Sequence, residues 1–334
     1  MIKRILYTLL IMFPVVASAQ INTDRVMAIG RNALYFEDYV LSIQYFNQVI
    51  NAKPYLSDPY FYRGLAKINL DDFQGAESDC SEAIERNPFV VSAYQVRGLA
   101  RIQQNNFAGA IEDYTKALEF DPENIGVWHN MALCRIRQED YKGAKNDLDK
   151  LIAISPRYTK AYLMRGEVDL KQKDTLAAEK DFGKAIEIDR YDADTWASRA
   201  ILRLQQQRYK DAEADFDHAI RLSTRNSGVY INRALARYHQ NNLRGAMSDY
   251  DIALDIDPNN FIGHYNRGLL RAQVGDDNRA IQDFNFVIEM EPDNMMAIFN
   301  RGLLLDQTGD YKGAIKDYST VINEYPNFLL GYQY

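Results

Sequence analysis

Cysteine is scarce in this 334-residue chain, which has only Cys80 and Cys134. An exported domain that depended on disulfides would carry more, so the two thiols read as small buried apolar side chains. Histidine is scarce as well. His129, His218, His239 and His264 show no metal-ligand spacing and have no cysteine pair nearby, so no metal or other cofactor is expected. The sequence has no glycine-rich loop of the phosphate-cradling kind and no serine in a nucleophile elbow, and catalysis by this chain is not expected. Basic blocks are missing too: 39 Lys and Arg are interspersed with 46 Asp and Glu, for a net charge of −7. Nucleic-acid binding needs a clustered basic surface, so nucleic acid is excluded as a partner.

Long apolar runs are confined to the first nineteen residues. Lys3 and Arg4 open the chain, residues 5–16 are almost wholly apolar, and Ala17-Ser18-Ala19 offers a small-residue cleavage site. This is the layout of a secretory signal peptide over residues 1–19, with Gln20 as the expected mature N-terminus. The apolar run is short against the roughly 20 residues of a bilayer span, which favours cleavage over an uncleaved anchor. No cysteine follows the cleavage site to carry a lipid. The mature protein is therefore expected in the periplasm or outside the cell, without an integral membrane segment.

With 47% hydrophobic residues, the remainder has ample material for a core. Its organising feature is a period of 34. After a short lead-in at residues 20–22, nine blocks follow without insertion: 23–56, 57–90, 91–124, 125–158, 159–192, 193–226, 227–260, 261–294 and 295–328. The eighth position is always Gly or Ala, as in Gly98, Ala132 and Gly166. The twentieth is Ala in eight blocks and Ser42 in the first. Large rings recur at the fourth position (Tyr94, Trp128, Tyr162, Trp196) and the twenty-fourth (Phe46, Tyr114, Phe182, Phe216). Small side chains let two antiparallel helices approach, and the rings fill the space beside them. A proline near most block ends, such as Pro122 or Pro258, stops the preceding helix.

These columns resemble the tetratricopeptide repeat family across residues 23–328. The departures are mild: Arg190 and Thr224 replace the terminal proline, Cys80 and Leu148 the second aromatic, and Asp277 the usual turn aromatic. The resemblance implies an all-α fold, a right-handed superhelical solenoid of nine helix-turn-helix repeats, whose concave groove binds proteins or extended peptides. Leu329 to Tyr334 reads as the start of an incomplete tenth block, which suggests a part of a longer protein. Oligomeric state stays open.

Two further columns are charged. The seventh position is Arg in seven blocks and the twenty-third is Asp in eight. In an antiparallel pair these positions come level, which predicts ion pairs such as Arg199 with Asp215, Arg233 with Asp249 and Arg267 with Asp283. Lys or Arg at the eleventh position lies one turn along on the same face. Such a row of cations could also await an acidic ligand; the matching number of Asp favours a structural role.

The family resemblance puts the groove at the second, fifth, sixth, ninth, twelfth and thirteenth positions. In the last three blocks the sixth is Asn232, Asn266 and Asn300, the fifth is Ile231, Tyr265 and Phe299, and the thirteenth is His239, Gln273 and Gln307. Each asparagine offers a donor and an acceptor. In register they resemble the asparagine ladder of the repeat region of O-linked N-acetylglucosamine transferase, although asparagine is common at that position whatever its task. The family's clamp for an acidic chain end is unsupported, because Phe61 and Leu65 stand where Lys and Asn are required. The expected function is a non-enzymatic binding scaffold of the cell envelope. Two alternatives are an assembly or chaperone-like factor and the docking or sensory half of a longer signalling protein or enzyme.

Overall fold

A computed structural model describes residues 22–324; the signal-peptide and tenth-block expectations lie outside them. Among the described residues there are eighteen helices and no strand. Contacts separate the chain into two compact units, one ending at Ile154 and the other starting at Ser155.

The first unit holds four helix pairs: α1 (Thr23–Tyr35) with α2 (Tyr39–Ala52), α3 (Asp58–Ile68) with α4 (Phe73–Arg86), α5 (Val91–Gln103) with α6 (Phe107–Phe120), and α7 (Ile125–Arg137) with α8 (Tyr141–Ile154). The second holds five. They are α9 (Thr159–Lys171) with α10 (Thr175–Ile188), α11 (Ala193–Gln205) with α12 (Tyr209–Leu222), and α13 (Ser227–His239) with α14 (Leu243–Ile256). α15 (Phe261–Gln273) with α16 (Asp277–Met290) and α17 (Met295–Gln307) with α18 (Tyr311–Glu324) complete it. Each block thus contributes one pair. Within each unit the second helix of a pair also packs on the first helix of the next.

The short turn inside each pair has a fixed chemistry. The fifteenth residue adopts positive φ in all nine blocks, from Glu37 at 63° to Gly309 at 87°. An Asx residue commonly follows and caps the second helix: Asp72 accepts from the Gly75 amide at 2.9 Å and Asn242 from the Gly245 amide at 3.0 Å. Such a cap satisfies an amide that has no partner within the helix.

Burial follows the small and large columns. Phe46, Phe182, Phe216 and Phe284 are fully buried, and a Cβ on Gly166 would sit 2.6 Å from the Phe182 ring. Glycine there permits the close approach of α9 and α10. Each core straddles neighbouring pairs: Tyr94, Tyr114, Val127 and Met131 share one cluster, and Phe216, Val229 and Ala236 another. Burying each such large side chain stabilises by about 1.5–3 kcal/mol, and no pair could bury its faces alone. Cys80 and Cys134 are free and buried, and burial pushes their thiols up to about 12 and about 11.

Candidate functional site

Between the two helices of most pairs lies a buried carboxylate. Asp215 is 3% exposed. Arg199 donates to it from Nε at 2.8 Å and from Nη2 at 2.9 Å, and Arg203 from Nη1 at 2.8 Å. Asp249 receives Arg233 at 3.0 and 2.6 Å and Arg237 at 2.8 Å. Asp283 receives Arg267 at 3.1 and 2.7 Å and Arg271 at 2.8 Å. Burial alone would raise the Asp283 carboxyl, but hydrogen bonds from His264 and the arginines outweigh it and hold the carboxyl below its ordinary value.

The same arginines reach back to the preceding pair. Arg233 Nη1 donates to Asp217 at 2.6 Å, Arg267 Nη1 to Asp251 at 2.8 Å, and Arg301 Nη1 to Asn285 at 2.8 Å. The eleventh column does likewise: Arg101 bonds Glu77 at 2.8 Å and Arg237 bonds Glu213 at 2.7 Å, with Gln104 and Gln240 on the second oxygens of those glutamates. The cations are occupied within the fold, so this column is a spine between blocks and offers little charge to a ligand. Its reach to the preceding block runs through the twenty-first and twenty-fifth positions, whose residue types change from block to block and form no column, as with Glu77, Ile111 and Lys145 at the twenty-first.

In the fourth block the pattern lapses. Met131 stands at the seventh position, so among the described residues Asp147 keeps only Arg135 as a cationic partner, at 2.7 Å. Burial there prevails over that single cation and pushes the carboxyl up to about 6.

The groove positions in the second unit fall on α13, α15 and α17, and the structure treats them unequally. Ile231 and Phe299 are core residues, 7% and 5% exposed; each packs within its own cluster instead of lining a surface. Asn232, Asn266 and Asn300 are half-buried, and among the described residues no hydrogen bond joins the three amides. Asn300 Nδ2 instead donates to the Tyr265 hydroxyl at 3.2 Å, which links α17 to α15. The Tyr265 ring rests edge-on against Phe284. Burial raises its phenol, and the bond from Asn300 opposes that rise. His239 is exposed and stacks on Tyr209 at 4.6 Å, while Gln273 and Gln307 are exposed.

Beside the Tyr265–Asn300 bond lies a recess of about 250 Å³ lined by Phe261, Ile262, Tyr265, Asn294 and Met296. Ile262 is 50% exposed and Met296 44%. Nothing but their second-position register marked these two in the sequence, since alternation cannot tell an exposed apolar residue from a buried one.

Profiles described as TPR repeat or tetratricopeptide repeat match residues 98–134, 125–158, 159–192, 198–261 and 265–327, together well over half of the chain. The chain belongs to the tetratricopeptide repeat family. No curated protein matches this tetratricopeptide array. Among solved structures it is similar to a tetratricopeptide repeat protein from Parabacteroides merdae, with 21% identity and TM-score 0.57, covering 75% of this chain and 98% of that one. The C-terminal part of a TPR repeat-containing protein from Cytophaga hutchinsonii gives 17% identity and TM-score 0.57, with 71% and 97% covered. The APC/C hetero-tetramer Cut9–Hcn1 gives 14% and 0.57, with 85% and 56% covered. At these identities the likeness is one of fold. Among the described residues no helix of the array is long and apolar enough to cross a membrane, and no group of three or more His, Cys, Asp or Glu could hold a metal ion.

Proposed function

We propose that this tetratricopeptide array is a non-enzymatic scaffold of the cell envelope, and that it holds an extended, largely uncharged segment of a partner protein against α13, α15 and α17. The observation that carries the reading is the recess of Phe261, Ile262, Tyr265 and Met296 beside half-buried asparagines. Apolar side chains of the segment enter the recess and supply affinity. Asn232 and Asn266 pair with its backbone, each having a donor and an acceptor to offer. The groove columns of these blocks are almost free of charge: Ile262, Tyr265, Asn266, Leu269, Met296, Asn300 and Leu303 stand there, so an acidic or basic segment would lose hydration without gaining a partner.

The test is selection from a random peptide library on immobilised mature protein, beside an Ile262→Asp/Met296→Asp variant of unchanged helicity. Peptides with spaced apolar residues and few charges are expected, and the variant should not retain them. Selection of charged peptides, or equal retention by the variant, would sink this reading. Export rests on the first nineteen residues; N-terminal sequencing of protein from fractionated cells should begin at Gln20, and an intact Met1 would refute it.

A further inference from the structure

A second cavity, of about 420 Å³, lies in the second unit and shares no residue with the groove columns. Ile186 of α10 lines it, with Arg190 and Tyr191 of the following turn, Trp196 of α11, and His218, Arg221 and Leu222 of α12. Trp196 is fixed on three sides. Its indole nitrogen donates to the Arg190 carbonyl at 2.9 Å, its face stacks on His218 at 4.2 Å and 17°, and the Arg199 guanidinium lies 5.0 Å from the ring centre. Arg221 donates to His218 Nδ1 at 2.8 Å, which makes that nitrogen an acceptor and holds the imidazole in place.

The equivalent place between the second and third blocks is a cavity of about 660 Å³ in which Ile84, Tyr94, Lys116 and Glu119 stand in register with Ile186, Trp196, His218 and Arg221, and its charges cancel, Lys116 pairing with Glu119 at 2.9 Å. There the residues in register with Tyr191 and Leu222 are Phe89 and Phe120, whose rings meet edge to face at 6.0 Å. In the fifth and sixth blocks Tyr191 is 75% exposed, as Phe89 is at 74%, and Leu222 replaces the second ring. Arg190 also departs from the repeat, which has proline at that position in seven blocks. Among the described residues no carboxylate pairs with Arg190 or Arg221. The one carboxylate lining the cavity, Glu187, is bonded to Lys184 at 2.9 Å.

We infer that this cavity binds a planar aromatic ring carrying a carboxylate. Tyr191 offers a ring face, and Trp196 and His218, whose facing sides are stacked on each other, offer edges, and guanidiniums recognise carboxylates through paired N–H donors. The volume lies within the range of about 300–1,000 Å³ of small-ligand sites. Two sources carry this chemistry: a free aromatic acid, and the aromatic C-terminal residue of a peptide.

The test uses the full mature chain with Trp128→Tyr, which leaves Trp196 as its single indole; Tyr162 makes the same bond to a turn carbonyl that Trp128 makes. Phenylacetate should change Trp196 emission saturably, and benzylamine, the same ring with a cation, should not. Arg190→Gln and Arg221→Gln should each weaken binding by about ten-fold, as loss of a hydrogen bond to a charged group does. His218→Lys/Arg221→Glu, which installs the self-neutralising Lys116 and Glu119 pair of the third block, should abolish it with helicity unchanged. Equal responses to phenylacetate and benzylamine, no saturable response, or full binding by the His218→Lys/Arg221→Glu variant would overturn the assignment. A peptide ending in free Phe, compared with its amide and with phenylacetate, identifies the source: tighter binding of the free-ended peptide assigns a chain end, and tighter binding of the acid a small molecule.

Discussion

Each buried aspartate of the spine draws its stability from the cations around it, and those cations differ in number. Asp215 has two, so Asp215→Ala leaves half-buried Arg199 without a counter-charge and Arg203 with Glu179 alone. Equilibrium denaturation should show a loss of about 3–5 kcal/mol, as for other broken buried pairs; a loss under about 1 kcal/mol would class the pair with exposed ones. Asp147 has one cation and a carboxyl near 6. Its folded form therefore binds a proton more tightly than the unfolded chain does. The resulting stabilisation is complete below the ordinary carboxylate range and is lost as pH rises through about 6. Asp147→Asn removes this loss, so its stability relative to the parent should rise by about 2–3 kcal/mol between pH 4 and pH 7, at 1.36 kcal/mol per unit. A pH-independent difference would refute the assignment. Arg199, Asp215 and their equivalents could be paired from sequence because seventh and twenty-third positions must come level. The burial of Ile231 and Phe299 could not, because the fifth position turns partly toward the core and a column of letters does not record side-chain direction.

Helices were legible because three signals agree in every block: a small residue, a large ring, and a proline or equivalent stop. The turn between paired helices was less so. Its fifteenth residue needs positive φ, yet only Gly275 and Gly309 carry the residue that adopts it freely; Lys173 at 65° and Gln207 at 62° do not. An L side chain there costs about 1–2 kcal/mol. Lys173→Gly and Gln207→Gly should each raise the midpoint of denaturation, by a net gain of about 1 kcal/mol once the freer unfolded chain is counted. Unchanged or lowered midpoints would mean that these side chains make contacts worth more than the strain.

The division after Ile154 left no trace in the sequence, since the 34-residue register runs through it unbroken. Periodicity reports what each block does internally, whereas units are set by the contacts between blocks. In a stack where neighbours alone touch, damage stays local. Asp113→Ala should therefore speed amide exchange chiefly within α5 and α6 and the pairs beside them, and Asp249→Ala within α13 and α14 and theirs. The stability losses of the double variant should add to within about 0.5 kcal/mol. Mass spectrometry that found either substitution loosening both units equally would contradict this. The spine also has a consequence for how such a chain grows or shortens. Arg101 and Gln104 meet Glu77 just as Arg237 and Gln240 meet Glu213. Blocks thus behave like dominoes with matched edges. A block that begins with Arg and Gln can be laid after any block that ends its joint in Glu, and a duplication or excision of 34 residues that preserves the match leaves no unpaired charge behind.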